Sequence, residues 1–429
     1  MLTAAMTGLA APAPAAQAAP PAATLVSVST QGAMANRDVD FPSVSADGRY
    51  VAFQAWATNL VPGDTNDHYD VFVRDTVAGT TTLASVGPDG VQGNAYSGQP
   101  SISADGRYVA FQSGASNLVA GDTNDYSDIF VRDVVAGTTE RVSVPTTPTG
   151  IGGADHRPVI SADGRRVAFV SYAQDMVPGI TFWGPKLFVR DLDAGTTTLA
   201  SVGVSGEPVP TAYMQADEVA IGMSGDGRTV AFVSDRDGVA TNDDETSDIL
   251  VRNLDTGVTV NASLSSTGQQ VDNPADYAAR RSRIALSRDG RKVAFASRSA
   301  QLVPGDADTK SDIFVRDLDG GTLTRVTAGT NESWNPTFSA DGQSLTYTTE
   351  VYGGPLTHRL TSSVWRDLRS GDATVLCNAV KPFDDWGDCR DVTVTADGRA
   401  VVYVSAQEPI TKTDGDHFPL QMFLRRKTA

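Results

Sequence analysis

One phrase, S-A-D-G-R-x-V-A-F with close variants, recurs seven times along this 429-residue chain and constrains its fold more tightly than composition does. Its Asp-Gly pair stands at Asp47, Asp105, Asp163, Asp226, Asp289, Asp341 and Asp397, with spacings of 58, 58, 63, 63, 52 and 56 residues. Six residues after each Asp comes an aromatic ring: Phe53, Phe111, Phe169, Phe232, Phe295, Tyr347 and Tyr403. A second phrase, D-I-F-V-R-D, places an arginine at Arg74, Arg132, Arg190, Arg252, Arg316, Arg366 and Arg425. The distance from Asp to Arg stays between 25 and 28 residues, while the gap from Arg to the next Asp runs from 25 to 37. Rigid units are thus joined by variable loops.

Each unit reads as four short strands bounded by turn residues. Strand a precedes Asp-Gly, a pair that between apolar runs signals a tight hairpin, expected here as type I′. Strand b is the R-Y-V-A-F-Q run, strand c is D-V-F-V-R-D, and a turn such as L-D-A-G-T leads into strand d. Strand c is apolar at consecutive positions, as a sheet covered on both faces requires. Four strands repeated seven times predict an all-β, seven-bladed β-propeller of antiparallel blades. The last repeat stops after its third strand, at Met422-Phe423-Leu424-Arg425, whereas Thr24-Leu25-Val26-Ser27-Val28 matches the fourth strand of the next repeat. The N-terminal strand is therefore expected to complete the last blade and remove an open edge.

The phrase P-x-[VIF]-S-x-D-G-[RQ]-x-[VLA]-x-[FY] followed by I-F-V-R-D resembles the TolB-type, WD-like propeller repeat over residues 24–429. Copies four, five and seven depart from it, with Ile221, Ile284 and Val392 where Pro42, Pro100, Pro158 and Pro336 stand. The resemblance implies the architecture. Its members serve as periplasmic binding partners, as accessory domains of peptidases and in a few cases as lyases or hydrolases, so it leaves function open.

The net charge of −17 excludes the basic stripe that nucleic acid needs. No apolar run after the N-terminus is long enough to span a membrane. Residues 1–22 are small and apolar with Ala16-Gln17-Ala18 as a cleavage pattern, and read as a signal peptide or disordered leader ahead of a single domain at 23–429. Export follows, to a secreted or cell-envelope location. There Cys377 and Cys389, the two cysteines of the chain, are expected to close a small loop disulfide.

Residues shared by all seven repeats answer a shared need, which is folding; recognition breaks the symmetry. Two sets break it. In the loops between strands b and c, D-x-[ND]-x-x-x-D appears as Asp64, Asn66 and Asp70; as Asp122, Asn124 and Asp128; as Asp306, Asp308 and Asp312; and as Asn242, Asp244 and Asp248. Such oxygens suit Ca²⁺, but three ligands fall short of the six to eight it takes, and Asx-turns leading into strand c are the plainer reading. The second set precedes strand a: Asp40, His156, Arg157, Arg283, Trp334, Asn335, Arg390 and Asp391. These are expected at the rim of the central channel, where guanidinium groups and an indole suit an anionic sugar or a peptide terminus.

No nucleophile-elbow, zinc or phosphate-loop motif is found. The expected function is a non-enzymatic, monomeric binding or scaffold protein that recognises a protein, peptide or glycan through its loop-rich face. The alternative is a lyase or glycosidase with carboxylates at the channel mouth, for which two carboxylates about 5 to 9.5 Å apart would speak. A purely structural cell-surface module is the third reading.

Overall fold

The computed structural model describes residues 23–146, 153, 155–180, 182–212, 220–235, 247–271, 274–275, 282–329, 331–352, 359–378, 389–405 and 419–426. Seven four-stranded antiparallel sheets make up the molecule. Blade 1 is β2 (Val39–Val44), β3 (Tyr50–Ala55), β4 (Asp70–Asp75) and β5 (Thr80–Leu83), and blades 2 to 6 repeat that a-b-c-d order. Blade 7 is composite. There β26 (Cys389–Val394), β27 (Ala400–Ser405) and β28 (Gln421–Arg426) are joined by β1 (Thr24–Leu25), with Thr24 opposite Leu424 and Leu25 opposite Phe423. The expected closure is what the structure has.

The repeated rings explain the blades. Strand register sets Phe53 directly opposite Phe72, with ring centroids 5.8 Å apart, and the same b–c pair recurs as Phe111 and Phe130 at 5.9 Å and Tyr403 and Phe423 at 5.7 Å. Apolar residues of neighbouring blades then interlock. Val51 and Phe53 of blade 1 share a core cluster with Val402 and Met422 of blade 7, and Ala52 and Val71 share another with Val109 and Phe111 of blade 2. Both faces of each sheet are covered, so strand c carries no polar alternation.

The Asp-Gly turn departs from the expected type I′. Gly48 has φ +71° but Asp47 has no positive φ, and type I′ needs both central residues there. Instead Gly48 N–H donates to Ser45 O at 3.0 Å, closing a turn over Ser-Ala-Asp-Gly. Ser45 Oγ donates to Asp47 Oδ1 (2.7 Å) and accepts Tyr50 N–H (2.9 Å), while Asp47 Oδ1 also accepts Arg49 N–H (2.9 Å). The Ser-x-Asp spacing competes successfully with the hairpin geometry because one carboxylate satisfies two donors. Blade 7 does the same with Thr395 and Asp397.

Adjacent turns are linked to one another. In six of the seven blades, all but blade 5, the residue before Asp donates its N–H to the same position of the next blade: Ala46 to Ala104 (2.9 Å), Ala104 to Ala162 (2.9 Å), Ala162 to Gly225 (2.8 Å), Gly225 to Arg288 (3.0 Å), Ala340 to Ala396 (2.9 Å) and Ala396 to Ala46 (3.0 Å). A belt of backbone hydrogen bonds thus runs around the channel. Arginines of strand c add staples between blades, as when Arg74 Nη1 donates to Ser29 O at 3.2 Å. The a–b and c–d turns share this bottom face. The longer b–c and d–a connections share the top.

Candidate functional site

Strand a lines the channel with an unpaired inner edge, and that explains its proline. Pro42, Pro100, Pro158 and Pro336 remove a donor from an edge where no partner strand exists. Just before each of them the strand bulges, the register shifting between Asp40 and Ser43, Gly98 and Ser101, His156 and Val159, and Trp334 and Thr337. The residue inside each bulge turns left-handed: Phe41 (φ 53°), Gln99 (52°), Arg157 (51°) and Asn335 (55°), joined in blade 7 by Asp391 (54°). For non-glycine residues such backbone costs of order 1–3 kcal/mol, and it gathers at binding sites. Here it brings Phe41, Gln99 and Arg157 to the upper wall of the channel and Asn335 and Asp391 against Arg283.

The channel is pinched midway by the residues three before each Asp, among them Met223, Leu286 and Phe338. Above the pinch a cavity of about 270 Å³ opens to the top face, and below it one of about 200 Å³ opens through the ring of alanines. The upper wall carries Phe41, Gln99, Arg157 and Arg283. Its charged side chains among the described residues are the two guanidinium groups.

The expected rim residues separate in the structure. Arg157 and Arg283 reach the cavity wall. Asp391 faces Arg283 across the intervening blade 6 at 4.0 Å. Asn335 Oδ1 accepts Arg283 N–H at 3.1 Å, and Gln99 Oε1 accepts Arg157 N–H at 3.1 Å, so amides of one blade fix the backbone of another. Asp40 lies in β2 opposite Gln54. His156 is buried with Nδ1 3.1 Å from Gln112 Nε2, and Trp334 is half-buried, packed on the core between blades 5 and 6. The side chains of Arg390, Cys377 and Cys389 lie outside the described residues, as do Asn242, Asp244 and the leader 1–22.

The acidic loops have donors of their own. In blade 5, Asp306, Asp308 and Asp312 bring carboxylate oxygens within 4.8 Å of one another. Arg325 stands among them, 3.1 Å from Asp306, 3.0 Å from Asp308 and donating from Nε to Asp312 at 2.8 Å. Blade 2 uses Arg141, 3.4 Å from Asp122 and 2.8 Å from Asp128, with Asn124 Nδ2 donating to Asp128 at 3.1 Å. In blade 1 the Gln92 amide donates to Asp64 (2.7 Å) and Asp70 (2.8 Å), and Asn66 donates to Asp70 (2.9 Å). Blade 4 answers Asp248 with Gln270 at 2.9 Å. Blade 3 puts a cation in place of the aspartate: Lys186, fully buried, donates to Ala173 O (3.2 Å) and Gly184 O (2.7 Å).

These donor sets do not fit Ca²⁺ as they stand. The ion needs six to eight oxygens around it, and the oxygens present already accept from guanidinium or amide groups. Burial raises the pKa of Asp70 and Asp312 above the ordinary carboxylate value, and takes Asp128 to about 6 despite Arg141. Asp155, fully buried beside Ser171 and Ser143, is raised further by the neighbouring Asp128. Burial likewise lowers the Lys186 amine to about 8.

Sequence reasoning missed Arg141, Arg325 and Gln92 because each lies on a different strand or loop from the motif it satisfies, and Lys186 because it replaces the aspartate of that motif in blade 3. It also missed Phe41 and Gln99, since nothing in sequence marks a left-handed bulge. Comparing blade with blade would have found them.

No protein-family profile matches the chain. Among solved structures, the β-propeller domain of the Trilobed protease from Pyrococcus furiosus, described as having an open velcro topology, aligns with 92% of this chain and 97% of its own at a TM-score of 0.54 and 12% identity. Oligogalacturonate lyase from Vibrio parahaemolyticus aligns with 91% of this chain and 90% of its own at 0.52 and 13%. TolB from Agrobacterium tumefaciens covers 82% and 95% at 0.42 and 16%. The fold is a seven-bladed β-propeller. In sequence, dipeptidyl-peptidase 5 of Porphyromonas endodontalis is 35% identical over 81 residues, which are 19% of this chain and 12% of that protein. Unlike the Pyrococcus domain's open velcro, this propeller is sealed by the pairing of β1 with β28. Likeness at these identities establishes architecture and leaves the site to speak for function.

Proposed function

We propose that the chain is a non-enzymatic binding propeller, working outside the cytoplasm, that takes an anionic group of its partner into the upper mouth of the channel. One observation carries the reading: among the described residues, the charged side chains lining that mouth are Arg157 and Arg283, in a chain whose net charge is −17. A cationic pocket inside an acidic molecule selects a carboxylate or similar anion, because approach elsewhere is repelled. The planar guanidinium forks give it direction. Asp391 supports binding over acid–base catalysis, since it sits opposite Arg283 in an ion-pair geometry rather than opposite a second carboxylate.

Calorimetric titration with a hexuronate such as mannuronate tests the reading. Binding is expected in the wild type and lost in Arg157→Ala and in Arg283→Ala, with folded circular dichroism retained. Undiminished affinity in both variants would overturn it.

A further inference from the structure

Blades 1 and 2 are near copies, each carrying S-A-D-G-R-Y-V-A-F-Q and G-D-T-N-D. Against that sameness, three top-face positions carry an aromatic ring in one blade and none in the other. After strand b blade 1 has Trp56 where blade 2 has Gly114, and before strand c it has Tyr69 where blade 2 has Ser127. Before strand a blade 2 has Tyr96 where blade 1 has Asp38. The structure gathers these three rings into one ridge, Trp56 to Tyr69 at 5.8 Å and Tyr69 to Tyr96 at 6.1 Å between centroids. Since each blade folds without the other's rings, folding does not require them.

The ridge is held rigid and left open. Trp56 Nε1 donates to Asp67 O at 3.0 Å, and the Arg37 guanidinium, paired with Asp67 at 2.6 Å, lies 4.6 Å from the indole centroid. The indole is still 40% exposed. At the inner end the Tyr96 hydroxyl donates to Gln54 Oε1 at 3.3 Å, and the same oxygen accepts the N–H of Gln99 at the mouth. Gly98 makes room for this contact: a Cβ there would lie 2.2 Å from Gln54 Oε1 and 2.3 Å from the Tyr96 oxygen. At the corresponding place the other bulged blades carry Asp40, His156, Trp334 and Arg390, each with a side chain that Gly98 lacks.

We infer that Tyr96, Tyr69 and Trp56 form a platform for the pyranose rings of an acidic oligosaccharide whose carboxylate enters the mouth at Arg157 and Arg283; this rests on the anion reading of the mouth. A pyranose offers a flat C–H face ringed by hydroxyl groups. The exposed indole and the half-buried Tyr69 and Tyr96, edged by Arg37, Asp67 and Gln54, meet both halves of that chemistry. A peptide's apolar anchor is better served by an enclosed pocket, which an open ridge does not provide. Rings already fixed by hydrogen bonds lose little entropy on binding.

Titration with mannuronate, tetramannuronate and the neutral cellotetraose tests the inference. The tetramer is expected to bind at least about tenfold more tightly than the monomer. Trp56→Ala should erase that gain and leave monomer affinity unchanged, Trp56→Phe should keep most of it, and Trp183→Ala, which removes an 85% exposed ring of blade 3, should change nothing. Equal thermal midpoints show that the variants fold. No gain with chain length, or a gain that survives Trp56→Ala, overturns the platform. Cellotetraose binding as tightly as the uronate tetramer, dependent on Trp56 and indifferent to Arg283→Ala, instead sinks the mouth reading and leaves the platform standing.

Discussion

The two faces of the disc use aspartate in opposite ways. On the bottom, the Arg49 guanidinium hydrogen-bonds Asp75 and holds its carboxyl down to about 2, and Arg107 likewise lowers Asp133. On the top, burial dominates: Asp64, Asp70, Asp306 and Asp312 are all raised, and Asp128 reaches about 6. The bottom carboxylates are themselves buried, but two backbone N–H groups and a half-exposed arginine hydrogen-bond each charge and outweigh its desolvation. Those of the top are roofed by loops, so desolvation outweighs even a guanidinium. A face built by repetition is relaxed; the face that varies from blade to blade carries buried charge and left-handed backbone.

Removing one arginine from each face breaks the comparison most directly. Arg325→Ala on the top leaves Asp306, Asp308 and Asp312 without their guanidinium, and is expected to cost roughly 3–5 kcal/mol in denaturant unfolding. Millimolar Ca²⁺ should then raise the melting temperature of that variant and leave the wild type unchanged, because the freed oxygens become ligands. Calcium without effect on the variant would show that these carboxylates cannot converge on an ion.

Relief of strain should come next in size. Phe41→Asn, which places a residue tolerant of left-handed backbone at φ 53°, is expected to gain about 1 kcal/mol. A loss of stability instead would mean that the ring's packing outweighs the backbone. On the bottom, Arg49→Ala should cost no more than about 1 kcal/mol, since the guanidinium is 42% exposed and Asp75 keeps the backbone N–H groups of Val77 and Ala78. An effect as large as that of Arg325→Ala would erase the distinction between the faces.

The pH profile should resolve the two faces in one experiment. Asp75 has a folded pKa below its ordinary 3.8, so its contribution is present above that value and is lost as pH falls towards about 2. Asp128 has a folded pKa raised to about 6, so its contribution is present below 3.8 and is lost as pH rises through 6. From the top face, then, unfolding free energy is expected to be greater at pH 5 than at pH 7.5. Asp155→Asn, which removes the neighbouring carboxyl, should flatten that slope, and an unchanged slope would assign it elsewhere.

How far the chain could be read before its structure was known follows the same division. Seven Asp-Gly phrases, their aromatic rings and the stray fourth strand at residues 24–28 were legible because each acts through neighbours at fixed sequence distance. The turn geometry was misjudged where the Ser45 hydroxyl and Asp47 carboxylate override the dipeptide's preference for type I′. Of the rim residues, Arg157 and Arg283 reach the mouth while His156 is buried and Trp334 packs on the core, a choice made by bulges that no local pattern announces.

By itself the sequence determined the number of blades, their strand order and the way the ring is sealed. Hydrophobic period and turn chemistry act over a few residues, and the repeat states them seven times. Only the tertiary structure decided which polar groups meet: Arg325 with three aspartates, Arg283 with Asp391 across a blade, and Trp56 with Tyr69 and Tyr96. Those meetings depend on how loops from separate strands and blades fold over a shared face, a geometry set by packing rather than by spacing along the chain.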